Sequence, residues 1–259
     1  MLSYQHIYHA GNAADVHKHG ALSICLTQLA AKPKPMTIME THAGRGVYDL
    51  SGPEARKTGE AKLGINQLIA EGRIASDHPY LQAVAATRQA RTAEHYPGSP
   101  AIARHFMRPG DHLHLMELHP AEYRTLTHNM RGPELHIHRR DGYEGVLAIS
   151  PPTPRRGLVL IDPAYEIKTE YQDVARFVPK LIRKWPEACV MVWYPLLTNH
   201  RHIDMVAALK RRFPDHVLSE VSFRAMAPGH RMRGSGLFIL NMPYGAGKQL
   251  KAYTDSVFI

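Results

Sequence analysis

Gly157-Leu158-Val159-Leu160-Ile161-Asp162-Pro163-Ala164-Tyr165 is the stretch on which the fold turns. Five successive apolar residues stopped by Asp-Pro read as a strand buried on both faces. Such strands belong to sheets with helices packed on each side. Working outward, the spacing predicts a helix over residues 12–31 with Asn12 as N-cap, ended by Lys32-Pro33-Lys34-Pro35. A short strand over 36–40 follows, then the turn Thr41-His42-Ala43-Gly44-Arg45-Gly46. Residues 50–93 are polar and Ala-rich with helical spacing. They read as a helical subdomain inserted after the first strand, dividing the chain into 1–49 with 94–259 and 50–93. Tyr96-Pro97-Gly98-Ser99-Pro100 opens a helix, with Ser99 expected at N-cap and Pro100 at N1.

Strands are expected over 112–117, 135–140 and 188–194, helices over 120–130, 170–185 and 200–213, and a closing antiparallel pair over 218–225 and 237–241. This alternation gives about seven strands with helices between them, an α/β doubly wound sheet. Ligands in such sheets bind beyond the carboxyl ends of the strands, which is where Asp162-Pro163-Ala164-Tyr165 falls. A carboxylate, a rigid turn and an aromatic ring at that place suit methylation of the exocyclic amine of a nucleobase. The amine lone pair is delocalised into the ring, so the nitrogen is a poor nucleophile. Two acceptors, the Asp162 carboxylate and the Pro163 carbonyl, hold its N–H groups and localise the lone pair, and Tyr165 stacks on the base. The usual form of the motif has a second proline where this chain has Ala164, a change that bears on loop rigidity.

Three further acids sit at expected strand ends. Glu40 precedes the Gly44-Arg45-Gly46 turn, Glu117 is placed to take both hydroxyls of a ribose, and Asp141-Gly142 to accept an adenine amine. Together they describe an adenosine site. With the Asp-Pro-x-Tyr motif they point to S-adenosylmethionine. The turn after the first strand is not the dinucleotide G-x-G-x-x-G, which argues against a nicotinamide oxidoreductase.

The formal charge of +9 makes a polyanionic partner plausible. Tyr4, His6, Tyr8 and His9 form an aromatic, hydrogen-bonding cluster of the kind that stacks on unpaired bases. Arg231 and Arg233 lie in a glycine-rich stretch, residues 228–236, expected as a loop that either carries phosphate contacts or is a solvated hairpin. Cys25 and Cys189 are far apart and make no CxxC, so neither a zinc ribbon nor a disulfide framework is indicated. His112 with His114, and His136 with His138, share strand faces. No third ligand of matching spacing declares itself, so no metal is expected. The longest apolar stretch, residues 188–197, is too short to span a bilayer, and a reducing cytoplasm is the expected location. A monomer is the default.

The strings Met1-Leu2-Ser3-Tyr4, His9-Ala10-Gly11-Asn12, Ala14-Asp15-Val16, Lys18-His19, Thr41-His42-Ala43-Gly44, Tyr96-Pro97-Gly98-Ser99-Pro100 and Glu117-Leu118-His119-Pro120 are distinctive. With Arg155-Arg156-Gly157-Leu158 leading into Ile161-Asp162-Pro163, and Trp193-Tyr194-Pro195, the chain resembles the RlmJ family from Met1 to about Tyr244. Those are bacterial 23S ribosomal RNA adenine-N6 methyltransferases that depend on S-adenosylmethionine. The resemblance implies a Rossmann-like class I methyltransferase fold with a helical insertion after the first strand. It implies that His19, His42, Ser99, Glu117, Asp141, Gly142 and Asp162 line the methyl donor, that Asp162 is also the catalytic carboxylate, and that Tyr4 contacts the target adenine. The implied partner is 23S ribosomal RNA, protein-free or in an early assembly intermediate. DNA adenine-N6 methylation uses the same site chemistry and stays open as an alternative. So does a weakly active or non-catalytic RNA-binding relative, because of Ala164.

Overall fold

A computed structural model describes residues 4–223 and 232–259. In chain order its elements are α1 (Ala13–Ala30), β1 (Thr37–Glu40), β2 (Val47–Asp49), α2 (Pro53–Thr58), α3 (Gln67–Ala70), α4 (Pro79–Ala90), β3 (His95–Pro97), α5 (Ser99–Phe106), β4 (His112–Met116), α6 (Pro120–Asn129), β5 (Leu135–His138), α7 (Gly142–Ile149), β6 (Gly157–Ile161), α8 (Glu170–Lys184), β7 (Cys189–Leu197), α9 (His202–Arg212), β8 (His216–Ser222), β9 (Met232–Leu240) and α10 (Ala246–Phe258). The main sheet has seven strands in the order β5-β4-β1-β6-β7-β9-β8. From β5 to β7 neighbours run parallel, while β9 lies antiparallel between β7 and β8. The chain moves outward from β1 to β4 and β5, then returns to lay β6 on the other side of β1. Between β1 and β6 lies the switch point, where a doubly wound sheet opens a crevice.

The alternation along β6 divides the core. Leu158 and Leu160 join the cluster beneath α1, α4, α5 and α10, and Val159 and Ile161 join the one beneath α7, α8 and α9. All five residues of β6 are buried, as the apolar run required. Helix α1 begins at its Asn12 cap, whose side chain accepts the Asp15 amide at 2.9 Å. It is an apolar helix buried nearly all round, yet its first two turns carry Asp15, His17, Lys18 and His19, none more than 4% exposed.

Residues 50–93 hold α2, α3 and α4. Their apolar side chains Ala55, Ile65, Tyr80 and Val84 merge with those of α1 in one cluster, so this stretch shares the core of the rest of the chain. Its base is a small antiparallel pair, β2 with β3, in which Tyr48 faces Tyr96.

Three features differ from the sequence expectation. Residues 142–149 form a helix, α7, in a segment with no helix assigned. Residues 232–236, expected as a glycine-rich loop, belong to strand β9, which is paired on both sides from Gly234 onward. Their glycines serve close packing, because a Cβ on Gly236 would lie 2.2 Å from the Tyr194 ring and one on Gly234 2.2 Å from the Val221 carbonyl oxygen. Arg233 is therefore an exposed strand residue, and Arg231, like Met1-Leu2-Ser3, lies outside the described residues. The last stretch of chain, which no motif explained, is α10. Its Tyr253 ring fills the space left by Gly20 of α1, and the hydroxyl donates to the Val16 carbonyl at 2.8 Å.

Gly157 opens β6 against the backbone of β1, where an added Cβ would sit 1.8 Å from the Thr37 carbonyl oxygen. Gly157→Ala is expected to lower the unfolding free energy by about 1–3 kcal/mol, the cost of overpacking a tight core. Urea denaturation checks this, and an unchanged midpoint would show that β1 and β6 can part here freely.

Candidate active site

Asp162 is the first residue beyond β6, and the strand delivers its carboxylate to the carboxyl edge of the sheet. The Asp162 Oδ2 accepts from Lys18 Nζ at 2.6 Å. That ammonium also lies 3.1 Å from Asp15 Oδ1 and 5.5 Å from the centre of the Trp193 ring. Asp15 in turn takes the Gly11 amide at 2.9 Å and His6 Nε2 at 2.8 Å on its Oδ2. A buried charge survives only when paired and hydrogen-bonded. The competing effects show in the acidities. Burial pulls the Lys18 pKa down, but Asp162 and Asp15 outweigh it, so the ammonium is held charged well above the usual lysine range. Burial pushes Asp15 up, and His6, Lys18 and His19 together bring it well below the usual carboxylate range.

The N-terminal segment closes over this cluster. His6 Nδ1 bonds the Tyr4 hydroxyl at 2.8 Å, and the Tyr4 ring lies parallel to His9, 5.8 Å between centres. His9 and Asn12 both bind Glu60 of the insertion, at 2.8 and 3.0 Å. His17 takes no part. It is bonded to Ser235 and Ser219 at 2.9 Å, and burial pushes its pKa down to about 3, so it is a neutral core residue.

Beside Asp162 opens a cavity of about 890 Å³, which is ample for a nucleotide-sized ligand. Tyr4, His19, His42, Ser99, Glu117, Asp141, Gly142, Asp162, Pro163 and Tyr165 all line it. Glu117 lies just past β4, with Oε2 accepting the Gly44 amide at 2.8 Å and Oε1 the His119 amide at 2.7 Å. Burial outweighs these amides and pushes its pKa up to about 7. Asp141 caps α7 through a 2.9 Å bond from the Glu144 amide, and a Cβ on Gly142 would meet the Thr41 carbonyl oxygen at 1.9 Å. His42 bonds the Thr41 hydroxyl at 2.9 Å and meets Tyr143 edge-on. Burial pushes His19 down to about 3, and its Nδ1 bonds the Tyr96 hydroxyl at 2.7 Å.

Two residues sit differently from the sequence expectation. Ser99 is not an N-cap; that position is Gly98, and the Ser99 hydroxyl donates to Glu40 Oε2 at 2.6 Å. Burial pushes the Glu40 carboxyl up to about 8, so it carries its proton at neutral pH. Tyr165 has a left-handed backbone (φ 55°) and is only 5% exposed. Its ring packs on Tyr171 with centres 4.4 Å apart, and its hydroxyl donates to the Trp193 carbonyl at 2.8 Å. That placement covers most of the ring face expected to receive a base. Lys18 and Asp15, the most strongly connected charges of the site, were not singled out as site residues. The signal was an i, i+3 pair of opposite charges inside an otherwise apolar helix.

A doubly wound sheet with acids at successive strand ends around one cleft, and Asp-Pro at the switch point, defines a methyltransferase of the Rossmann-like class I type. A crystal structure of a probable spermidine synthase from Corynebacterium glutamicum superimposes with a TM-score of 0.53 at 11% identity, over 92% of this chain and 70% of that one, which shows the shared fold alone. The particular family follows from closer relatives. Residues 33–258 match the family described as ribosomal RNA large subunit methyltransferase D, RlmJ. The chain is 34% identical to the ribosomal RNA large subunit methyltransferase J of Escherichia coli, over 96% of this chain and 90% of the relative. It is likewise 34% identical to the protein of that name from Haemophilus influenzae, over 97% and 91%. A crystal structure from Legionella pneumophila matches with a TM-score of 0.86 at 32% identity, over 96% of this chain and 94% of that one. The chain belongs to the RlmJ family of ribosomal RNA methyltransferases. No helix among the described residues is long and apolar enough to cross a membrane.

Ser99→Ala removes the donor from a carboxyl that is itself buried. It is expected to cost about 1–3 kcal/mol of stability. The loss should shrink in a Glu40→Ala background, which has no acceptor for the hydroxyl, as measured by denaturant titration. A loss undiminished by that second change would assign the cost to the helix terminus instead.

Proposed function

We propose that this chain transfers a methyl group from S-adenosylmethionine to N6 of an adenine in 23S ribosomal RNA. The observation that carries the reading is the Asp162-Pro163 turn at the switch point, its carboxylate fixed by Lys18 at 2.6 Å and facing a nucleotide-sized cleft. The names of the two curated relatives support ribosomal RNA as the substrate. The motif supports an exocyclic amine as the acceptor.

The residues fit the donor. Glu117 offers a carboxylate to a ribose diol. Gly142 leaves room where any side chain would strike the Thr41 carbonyl, and an adenine edge can then approach Asp141. Glu40, bonded to the cleft-lining Ser99, has a buried Oε1 without a hydrogen-bond partner among the described residues, as expected where a polar ligand group completes the site. S-adenosylmethionine, when bound, supplies an electrophilic methyl group on a sulfonium.

The chain's own residues do the rest. The target adenine must leave its stack to reach the cleft. Asp162 accepts one N6–H and the Pro163 carbonyl the other, which turns the nitrogen lone pair out of conjugation and aims it. Lys18 locks the carboxylate in place before the base arrives, so little reorganisation remains at reaction. Transfer of the methyl group from sulfur to N6 would leave a neutral thioether and an acidic, positively charged nitrogen, and Asp162 is placed to take the proton that nitrogen loses. Tyr4 contacts the base at the cleft mouth. Tyr165 braces the turn through Trp193 and offers the base only its exposed margin. Arg176 and Lys180 of α8 line the same mouth and suit a passing phosphate backbone.

Incubation with radiolabelled S-adenosylmethionine should label protein-free 23S ribosomal RNA as N6-methyladenosine and leave duplex DNA unlabelled. Asp162→Asn should lower kcat by about 10²-fold or more with the fold intact. Label confined to DNA would turn the reading to a DNA methylase, and full activity in Asp162→Asn would sink the carboxylate's role.

The Glu117 acidity gives a second expectation. A ribose diol donates best to an ionised carboxylate, and Glu117 ionises around pH 7 in the free protein. Adenosine-donor affinity should therefore rise between pH 6 and pH 8, and Glu117→Gln should bind more weakly with that pH dependence flattened. Calorimetric titration across this range decides it; an unaltered profile in the variant would remove Glu117 from the ribose site.

A further inference from the structure

Away from the cleft, the first two strands beyond β1 carry an unusual surface. In β4, Leu113 and Leu115 face the core, and so in β5 do Leu135 and Ile137. The intervening positions, His112, His114, His136 and His138, point together to the other face. The sequence showed these as two separate pairs. The parallel register joins them, because His114 pairs directly with His136, and Met116 with His138. The His114 and His136 rings lie 4.6 Å apart and the His112 and His136 rings 5.8 Å apart, nearly parallel in both cases. One nitrogen from each of His112, His114 and His136 falls within 4.8 Å of the other two.

We propose that His112, His114 and His136 bind a divalent transition-metal ion of the Zn²⁺ class. Three imidazoles and a solvent molecule are a donor set that suits Zn²⁺, Cu²⁺ or Ni²⁺, and the absence of a carboxylate among the three disfavours Mg²⁺ and Ca²⁺. A tetrahedral ion with bonds of about 2.0–2.1 Å needs its ligand nitrogens about 3.4 Å apart. Imidazole lone pairs lie in the ring plane, so the near-parallel rings must turn out of their stack as well as close by roughly an ångström to reach one ion. His136 is exposed and the other two are half-exposed, which leaves their side-chain torsions room to turn. His138 adds an outer contact. With His114 coordinating through Nε2, its Nδ1–H is left to donate to His138 Nε2, 3.2 Å away, the kind of second bond that orients a ligating imidazole. The ion would pin the edge strand β5 to β4. None of the four histidines lines the cleft, so the site is separate from the chemistry above.

The test uses the full chain stripped with a chelator, titrated calorimetrically with Zn²⁺ and, for contrast, Mg²⁺. The expected result is one saturable Zn²⁺ equivalent, no matching Mg²⁺ binding, and a rise in melting temperature on Zn²⁺ addition. His114→Ala and His136→Gln should each weaken that equivalent by at least tenfold, while His128→Ala, at an exposed histidine of α6, should match the parent. The exposed His136→Gln keeps the test usable if His114→Ala disturbs the sheet. Co²⁺ in place of Zn²⁺ should give the visible absorption of a tetrahedral site in the parent and lose it in both variants. No saturable equivalent in the parent, or one of unaltered affinity in His136→Gln, would overturn the proposal.

Discussion

The site depends on one interaction, the Lys18 ammonium shared between Asp162 and Asp15 inside the protein. A lysine 4% exposed on an apolar helix would be costly alone, and so would either carboxylate. Together they are satisfied only if α1, the end of β6 and the N-terminal segment meet in one arrangement. Asp15 draws in His6 and Gly11, and His6 draws in Tyr4. On the other side of the helix, α10 seals α1 through Tyr253 and Gly20. The position of the Asp162 carboxylate is thus set by a helix far away in sequence, not by its own turn.

The same physics sorts the acids around the cleft into two kinds. Asp15 and Asp162 have cations beside them. Glu40 and Glu117 are buried without one, and burial lifts them to about 8 and about 7. Ion-paired carboxylates and carboxyls that titrate near neutrality thus stand around one cleft.

The sheet was legible because β6 is an uninterrupted apolar run and because each strand ends at an acid or a turn. The cleft-lining residues were legible for the same reason, since a doubly wound sheet gathers its strand ends. Three things were not. Lys18 carries no local signal of its partner, because Asp162 is brought to it only by tertiary packing. Gly234 and Gly236 look like loop glycines until the Tyr194 ring and the Val221 backbone are seen beside them. The histidines of β4 and β5 spell two pairs in sequence and one cluster in space, because register is a property of the sheet.

The measurement that bears most directly on this account is a double-mutant cycle on stability between Lys18→Met and Asp162→Asn. If the ammonium joins α1 to the Asp162 turn, Lys18→Met alone should cost about 3–5 kcal/mol, the penalty for stranding buried charge. The double variant should then cost less than the sum of the two by about 1 kcal/mol or more. Costs that add to within about 0.5 kcal/mol, as for distant independent sites, would contradict the account.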